Sequence, residues 1–166
     1  MTTASLWRRA LTVATVATAA IALSGCSILS QVTNGINDVV DPGPGTTQDI
    51  FSIEVGDCEA ISPGEGEISA TRTIDCAEPH ETEIYAASYV ADGEFPGDAF
   101  IEEQAINDCT AEFETFIGAN YEDSIYDFSW YYPTAGTWAE GDREILCVVY
   151  DISGASITGS LQGVAK

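Results

Sequence analysis

The sequence predicts an α+β domain: a mostly antiparallel sheet of about six strands, one amphipathic helix packed on it, and disulfides stapling the two. Three observations carry this expectation. Three strand-like segments precede a single helical segment and three come after it, so strands gather in runs and do not alternate with helices. Turn residues fall between the strand-like segments where hairpins and short loops need them. Four cysteines, Cys58, Cys76, Cys109 and Cys147, lie within this region, and an even number in an exported domain reads as disulfides.

The first three strands are expected over residues 50–55, 67–74 and 83–90, separated by Ser62-Pro63-Gly64 and by Glu78-Pro79-His80. Phe95-Pro96-Gly97-Asp98 then stops the strand pattern, and Asp98 is a suitable N-cap for a helix. Ile101, Ala105, Cys109, Phe113 and Ile117 recur at intervals of four, with Phe116 beside them, and Gly118 closes the run, which is the pattern of one amphipathic helix. Its outward positions, Glu102, Glu103, Asp108, Glu112 and Glu114, form an acidic face, while Cys109 sits on the apolar stripe within reach of a strand. Strands resume over 124–132, 144–152 and 156–161, the last two linked by Ser153-Gly154. Alternation in 124–132 puts Tyr126, Phe128, Trp130 and Tyr132 on one face, read as core.

Ahead of this domain the chain reads as an export signal. Arg8 and Arg9 precede an uncharged stretch over 10–23, too short for a stable transmembrane helix, which needs roughly 20 apolar residues. The stretch ends in Leu23-Ser24-Gly25-Cys26, which resembles a lipobox, so cleavage is expected before Cys26 and diacylglycerol on its thiol. Residues 1–25 are then the signal peptide, 26–48 the lipidated cysteine and a flexible linker rich in turn residues, and 49–166 the folded domain. Such an anchor leaves the protein on the extracellular face of the cytoplasmic membrane, its acyl chains each burying methylenes at roughly 0.8 kcal/mol.

The chain carries 27 acidic and five basic residues, and removal of the leader leaves three of the basic ones, Arg72, Arg143 and Lys166. A surface so negative repels phosphate backbones and excludes nucleic acid as a partner. Basic ligands, cations or a basic partner protein are what it attracts. Metal chemistry lacks its usual signs: there is no CxxC or HxxxH, His80 is the single histidine, and no EF-hand loop is present. No metal and no cofactor are therefore expected. Three disulfide connectivities remain open to the four cysteines on spacing alone.

The pieces Val55-Gly56-Asp57-Cys58, Cys76-Ala77-Glu78-Pro79-His80, Glu83-Ile84-Tyr85-Ala86, Phe95-Pro96-Gly97, Cys109, Tyr132-Pro133, Trp138, Gly141-Asp142-Arg143, Cys147 and Gly159-Ser160-Leu161 succeed one another in a characteristic order. In this the sequence resembles the septum formation family, small domains of actinobacterial membrane proteins and lipoproteins. The resemblance implies pairing of Cys58 with Cys76 and of Cys109 with Cys147, a role at the division septum, and an envelope or division protein as partner. It carries no catalytic residues.

Catalysis finds little support in the residues themselves. His80 is the sole general base of the usual kind, and no G-x-S-x-G places a nucleophile near it. Carboxylates are so abundant that pairs such as Glu81 and Glu83 specify nothing. The expected function is a noncatalytic, membrane-anchored interaction domain, the alternative being an envelope enzyme acting on wall material. His80 and the group Trp138, Asp142 and Arg143 are the candidate contact surface, with Arg143 expected to be held by carboxylates and Trp138 to cap the core.

Overall fold

The computed structural model describes residues 43–64 and 66–166; the leader, Cys26 and the linker up to residue 42 lie outside the described residues. Six strands build one antiparallel sheet: β1 (Thr46–Asp49), β2 (Cys58–Ile61), β3 (Ala70–Ile74), β4 (Thr82–Tyr89), β5 (Tyr126–Tyr131) and β6 (Glu144–Asp151). Their order across the sheet is β1-β3-β2-β4-β6-β5, so β1 and β5 are the edges and the long strands β4 and β6 lie side by side within. Helix α1 (Asp98–Ile117) joins β4 to β5, and the short α2 (Ala135–Glu140) joins β5 to β6. This is the α+β architecture the sequence predicts, with two disulfides.

Helix α1 arises directly from its sequence. Ile101, Ala105, Cys109, Phe113 and Ile117 are all fully buried, forming one i+4 ridge of the kind that packs obliquely across a facing surface. Gly97, not Asp98, is the N-cap, because the chain turns into the helix at φ 93°; Asp98 opens the first turn, where its charge favours the helix dipole. At the other end Gly118 takes φ 82°, and the C-terminal tail finishes the cap: the amides of Gly163 and Ala165 donate to the carbonyls of Phe116 (2.7 Å) and Ile117 (2.8 Å). Opposite the helix, Tyr126, Phe128, Trp130 and Tyr132 pack toward the core as their alternation predicts.

A bulge in β4 makes room for the helix. The register with β6 shifts between Ile84 and Ala86, so Tyr85 and Ala86 both join the helix-side core while Ile84 packs on the other face with Ile53, Leu146 and Val148. The Tyr85 hydroxyl then donates to the Cys109 carbonyl at 2.7 Å. Cys109 also bonds Cys147 of β6, tying helix to sheet, and Cys58 of β2 bonds Cys76 just past β3.

Several strand positions differ from expectation, although the number of strands does not. Residues 50–55 are not a strand: Asp49 accepts a hydrogen bond from the Phe51 amide and winds Ile50–Ser52 into a 3-10 turn. The first strand is instead Thr46–Asp49, straddling the end of the stretch read as linker, where Arg72 of β3 donates to the carbonyls of Gly43 (2.7 Å) and Pro44 (2.8 Å) and holds the chain down. Residues 156–161 make a single bridge, Ile157 with His80, because Gly159 turns at φ 82° and its amide is taken by the Cys76 carbonyl at 2.6 Å. Strand β2, unrecognised in the sequence, completes the six.

Candidate functional site

On the side of the sheet away from α1, the core closes around a carboxylate. Glu59 of β2 is fully buried and accepts hydrogen bonds from Thr71 of β3 (2.6 Å), Thr82 of β4 (2.6 Å) and Tyr131 of β5, which lies 3.0 Å from both carboxylate oxygens. Four strands thus meet at one acceptor. Burial first, and the Glu59 charge second, push the Tyr131 phenol well above its ordinary range, so it stays a donor.

A second buried carboxylate, Glu83 of β4, accepts from the Ser160 hydroxyl (2.6 Å) and the Leu161 amide (2.7 Å), which straps the C-terminal segment to the sheet. Glu83 lies with Cys58 and Cys76 in a cluster compact enough for a cation, its ligand atoms within 4.8 Å of one another. The two sulfurs, however, are joined to each other, and the carboxylate already serves the tail. These residues do not offer a thiolate site.

The candidate contact residues separate into two places. Trp138, Asp142 and Arg143 come together around the end of α2. Thr134 caps that helix in a reciprocal pair with Thr137, and Gly141 closes it at φ 106°. The Arg143 guanidinium stacks 3.6 Å from the centre of the Trp138 ring, donates to the Trp138 carbonyl (2.9 Å) and pairs with Asp92 (3.1 Å). Trp138 is buried against Phe95 and donates from its ring to the Gly93 carbonyl at 3.2 Å. His80 stands elsewhere. Thr82 pairs with Tyr150 at one end of the β4–β6 ladder and Tyr89 with Glu144 at the other, so His80 and Arg143 sit beyond opposite ends of a ladder about 20 Å long. His80 is 1% exposed, its Nδ1 donates to the Glu78 carbonyl at 2.9 Å, and its Nε2 has no hydrogen-bond partner among the described residues.

A cavity among the described residues is a third place. A cleft of about 750 Å3 runs from the 3-10 turn at Phe51, past Glu67 and Ile68 of the β2–β3 loop, to the end of β5 and the start of β6. Tyr131 and Leu146 form its floor, with the Tyr131 hydroxyl buried behind at Glu59. Glu67, Glu102, Asp142 and Glu144 line it as well. Of the sequence candidates only Asp142 reaches it. Its amide-capping role is also set: Asp142 accepts from the Glu144 amide at 3.0 Å. Its size falls in the range usual for ligand sites, roughly 300–1,000 Å3.

The septum formation family matches residues 55–165, from the segment before Cys58 to the C-terminal strap. The chain belongs to the septum formation family. No curated protein and no solved structure matches it. The matched span takes in both disulfides, the two buried carboxylates and most of the cleft, so these are features of the family domain in this chain. Among the described residues no helix is long and apolar enough to cross a membrane.

Proposed function

We propose that this septum formation domain is a noncatalytic binding module of the cell envelope, held at the extracellular face of the cytoplasmic membrane by lipid on Cys26 and acting in division. Residues 1–25 are removed on export, the lipidated Cys26 and the linker after it tether the domain, and the domain, which residues 46–48 join as part of β1, reaches a partner in the envelope. The cleft carries the reading: rings and carboxylates from five segments converge there on a scaffold that two disulfides stiffen. His80, by contrast, is buried at the far end of the sheet and does not line it. The family match supports the link to septum formation, and the lipobox-like Leu23-Ser24-Gly25-Cys26 supports the anchor.

A fluorescent fusion imaged in dividing cells tests the division role: enrichment at the septum is expected, and uniform staining of the envelope would sink it. Fractionation tests the anchor separately, since Cys26→Ala should move the protein out of the membrane fraction.

A further inference from the structure

We infer that the cleft is a docking site for a basic polypeptide segment, one in which lysine or arginine alternates with apolar residues; this rests on the reading of the domain as a binding module. Its charge is uncompensated from within. Among the described residues the one ion pair is Arg143 with Asp92, and neither lines the cleft. Arg72 is spent on the carbonyls of Gly43, Pro44 and Gly45 and on Thr47. Glu67, Glu102, Asp142 and Glu144 therefore surround the cleft with no cation among its lining residues, and low-dielectric walls concentrate such a field.

The floor asks for something more than a cation. Phe51 is 60% exposed at the cleft edge, and the Tyr131 ring and Leu146 present apolar surface between the carboxylates. A lysine or arginine can pair with the rim and stack on a ring, while its apolar neighbour covers Phe51. An extended segment presents alternate side chains to opposite sides, which matches a cleft with an apolar floor and an acidic rim. Its volume suits a few residues of chain, not a folded surface. Anionic polymers are repelled by the same field.

Fluorescence anisotropy on the full chain tests this, with a labelled decapeptide of alternating lysine and valine as probe and its glutamine-for-lysine analogue as reference. The lysine peptide should bind at least about tenfold more tightly than the analogue, and raising salt from about 20 to about 300 mM should weaken it. Glu67→Gln with Glu102→Gln should cost about tenfold in affinity, whereas Glu112→Gln with Glu114→Gln on the outer face of α1 should cost less than about twofold. Phe51→Ser, at an exposed position, should weaken binding without lowering the melting temperature.

Equal losses from both double variants would mean a diffuse acidic field and overturn the site. So would equal binding of the two peptides, or none. A chitin tetrasaccharide that displaces the peptide with salt-independent affinity would assign the cleft to a glycan, and a dimer in sedimentation abolished by Phe51→Ser would assign it to a second copy. Septal enrichment without peptide binding sinks the docking site alone; peptide binding without septal enrichment sinks the division role alone.

Discussion

At Glu59 a single carboxylate does what a row of apolar contacts does elsewhere in the sheet. Its donors are hydroxyls and no cation among the described residues pairs with it, so its stability depends on Thr71, Thr82 and Tyr131 all being in place. Tyr131→Phe removes one charge-assisted hydrogen bond and should cost about 1.5–3 kcal/mol in urea unfolding; Glu59→Ala strands three buried hydroxyls and should cost more. No loss in either would mean the network is ornamental. Burial raises the phenols of Tyr131 and Tyr85, with Glu59 and Glu112 adding to the effect respectively. A phenol raised on folding keeps its full contribution below its unfolded value near pH 10 and loses it as pH rises further, since the unfolded chain ionises first. Stability should therefore fall above about pH 10 by up to about 1.4 kcal/mol per pH unit for each tyrosine, and Tyr131→Phe should remove one share of that slope. Arg143→Ala loses the stack on Trp138 and the pair with Asp92 together and should cost about 1–3 kcal/mol; an unchanged melting temperature would make this arginine a surface residue. Arg143 held by a carboxylate and Trp138 buried could be read from the sequence, because cations are scarce in so acidic a chain. Glu59 could not: its partners lie 12, 23 and 72 residues away, and nothing local marks it.

Among the elements, α1 is the most legible, with its limits set by Gly97 and Gly118 and its buried face by one repeat of four. Strands were harder to place, since each depends on what lies beside it. Thr46–Asp49 carries no apolar residue, and only pairing with β3 makes it a strand. Residues 50–55 look strand-like, yet the Asp49 side chain captures the Phe51 amide and bends them. Helix α2 hid behind Pro133 and Gly136, although the Thr134–Thr137 pair was a capping signal in plain sight. The outer edge of β5 is blunted locally, its Tyr126 and Phe128 amides donating to Ser124 Oγ (3.1 Å) and Asp127 Oδ1 (2.8 Å), which discourages pairing with another chain. The disulfides act between elements. Closing loops of 18 and 38 residues contributes about 3 and about 4 kcal/mol by chain entropy. Replacing Cys109 and Cys147 together by alanine should thus be the more damaging of the two double substitutions, because it also unpins α1 from β6. If the Cys58/Cys76 pair proves the costlier in denaturant, strapping of the C-terminal tail near Glu83 matters more than the helix contact.

Over the whole molecule, charge is the term most plainly written in the sequence and least offset by the structure. The formal net charge is −22, and among the described residues one ion pair relieves it. Like charges spread over so small a surface repel one another most when the chain is compact, so folding works against them. Buried apolar contacts, two disulfides and the hydroxyl network at Glu59 outweigh that repulsion. Salt should then stabilise this protein. The screening length falls from roughly 30 Å at 0.01 M to roughly 10 Å at 0.1 M, which separates most of these carboxylates from one another electrically. Sodium chloride raised over that range should lift the melting temperature, with most of the gain complete before excluded-solute effects begin. Glu112→Lys, on the exposed acidic face of α1, should raise the low-salt melting temperature and shrink the response to salt, since it removes part of the repulsion that salt screens. A melting temperature flat across the titration would mean that the carboxylates are already neutralised by bound cations, and calcium calorimetry would then show a saturable heat where the acidic surface alone gives only weak, unsaturable binding.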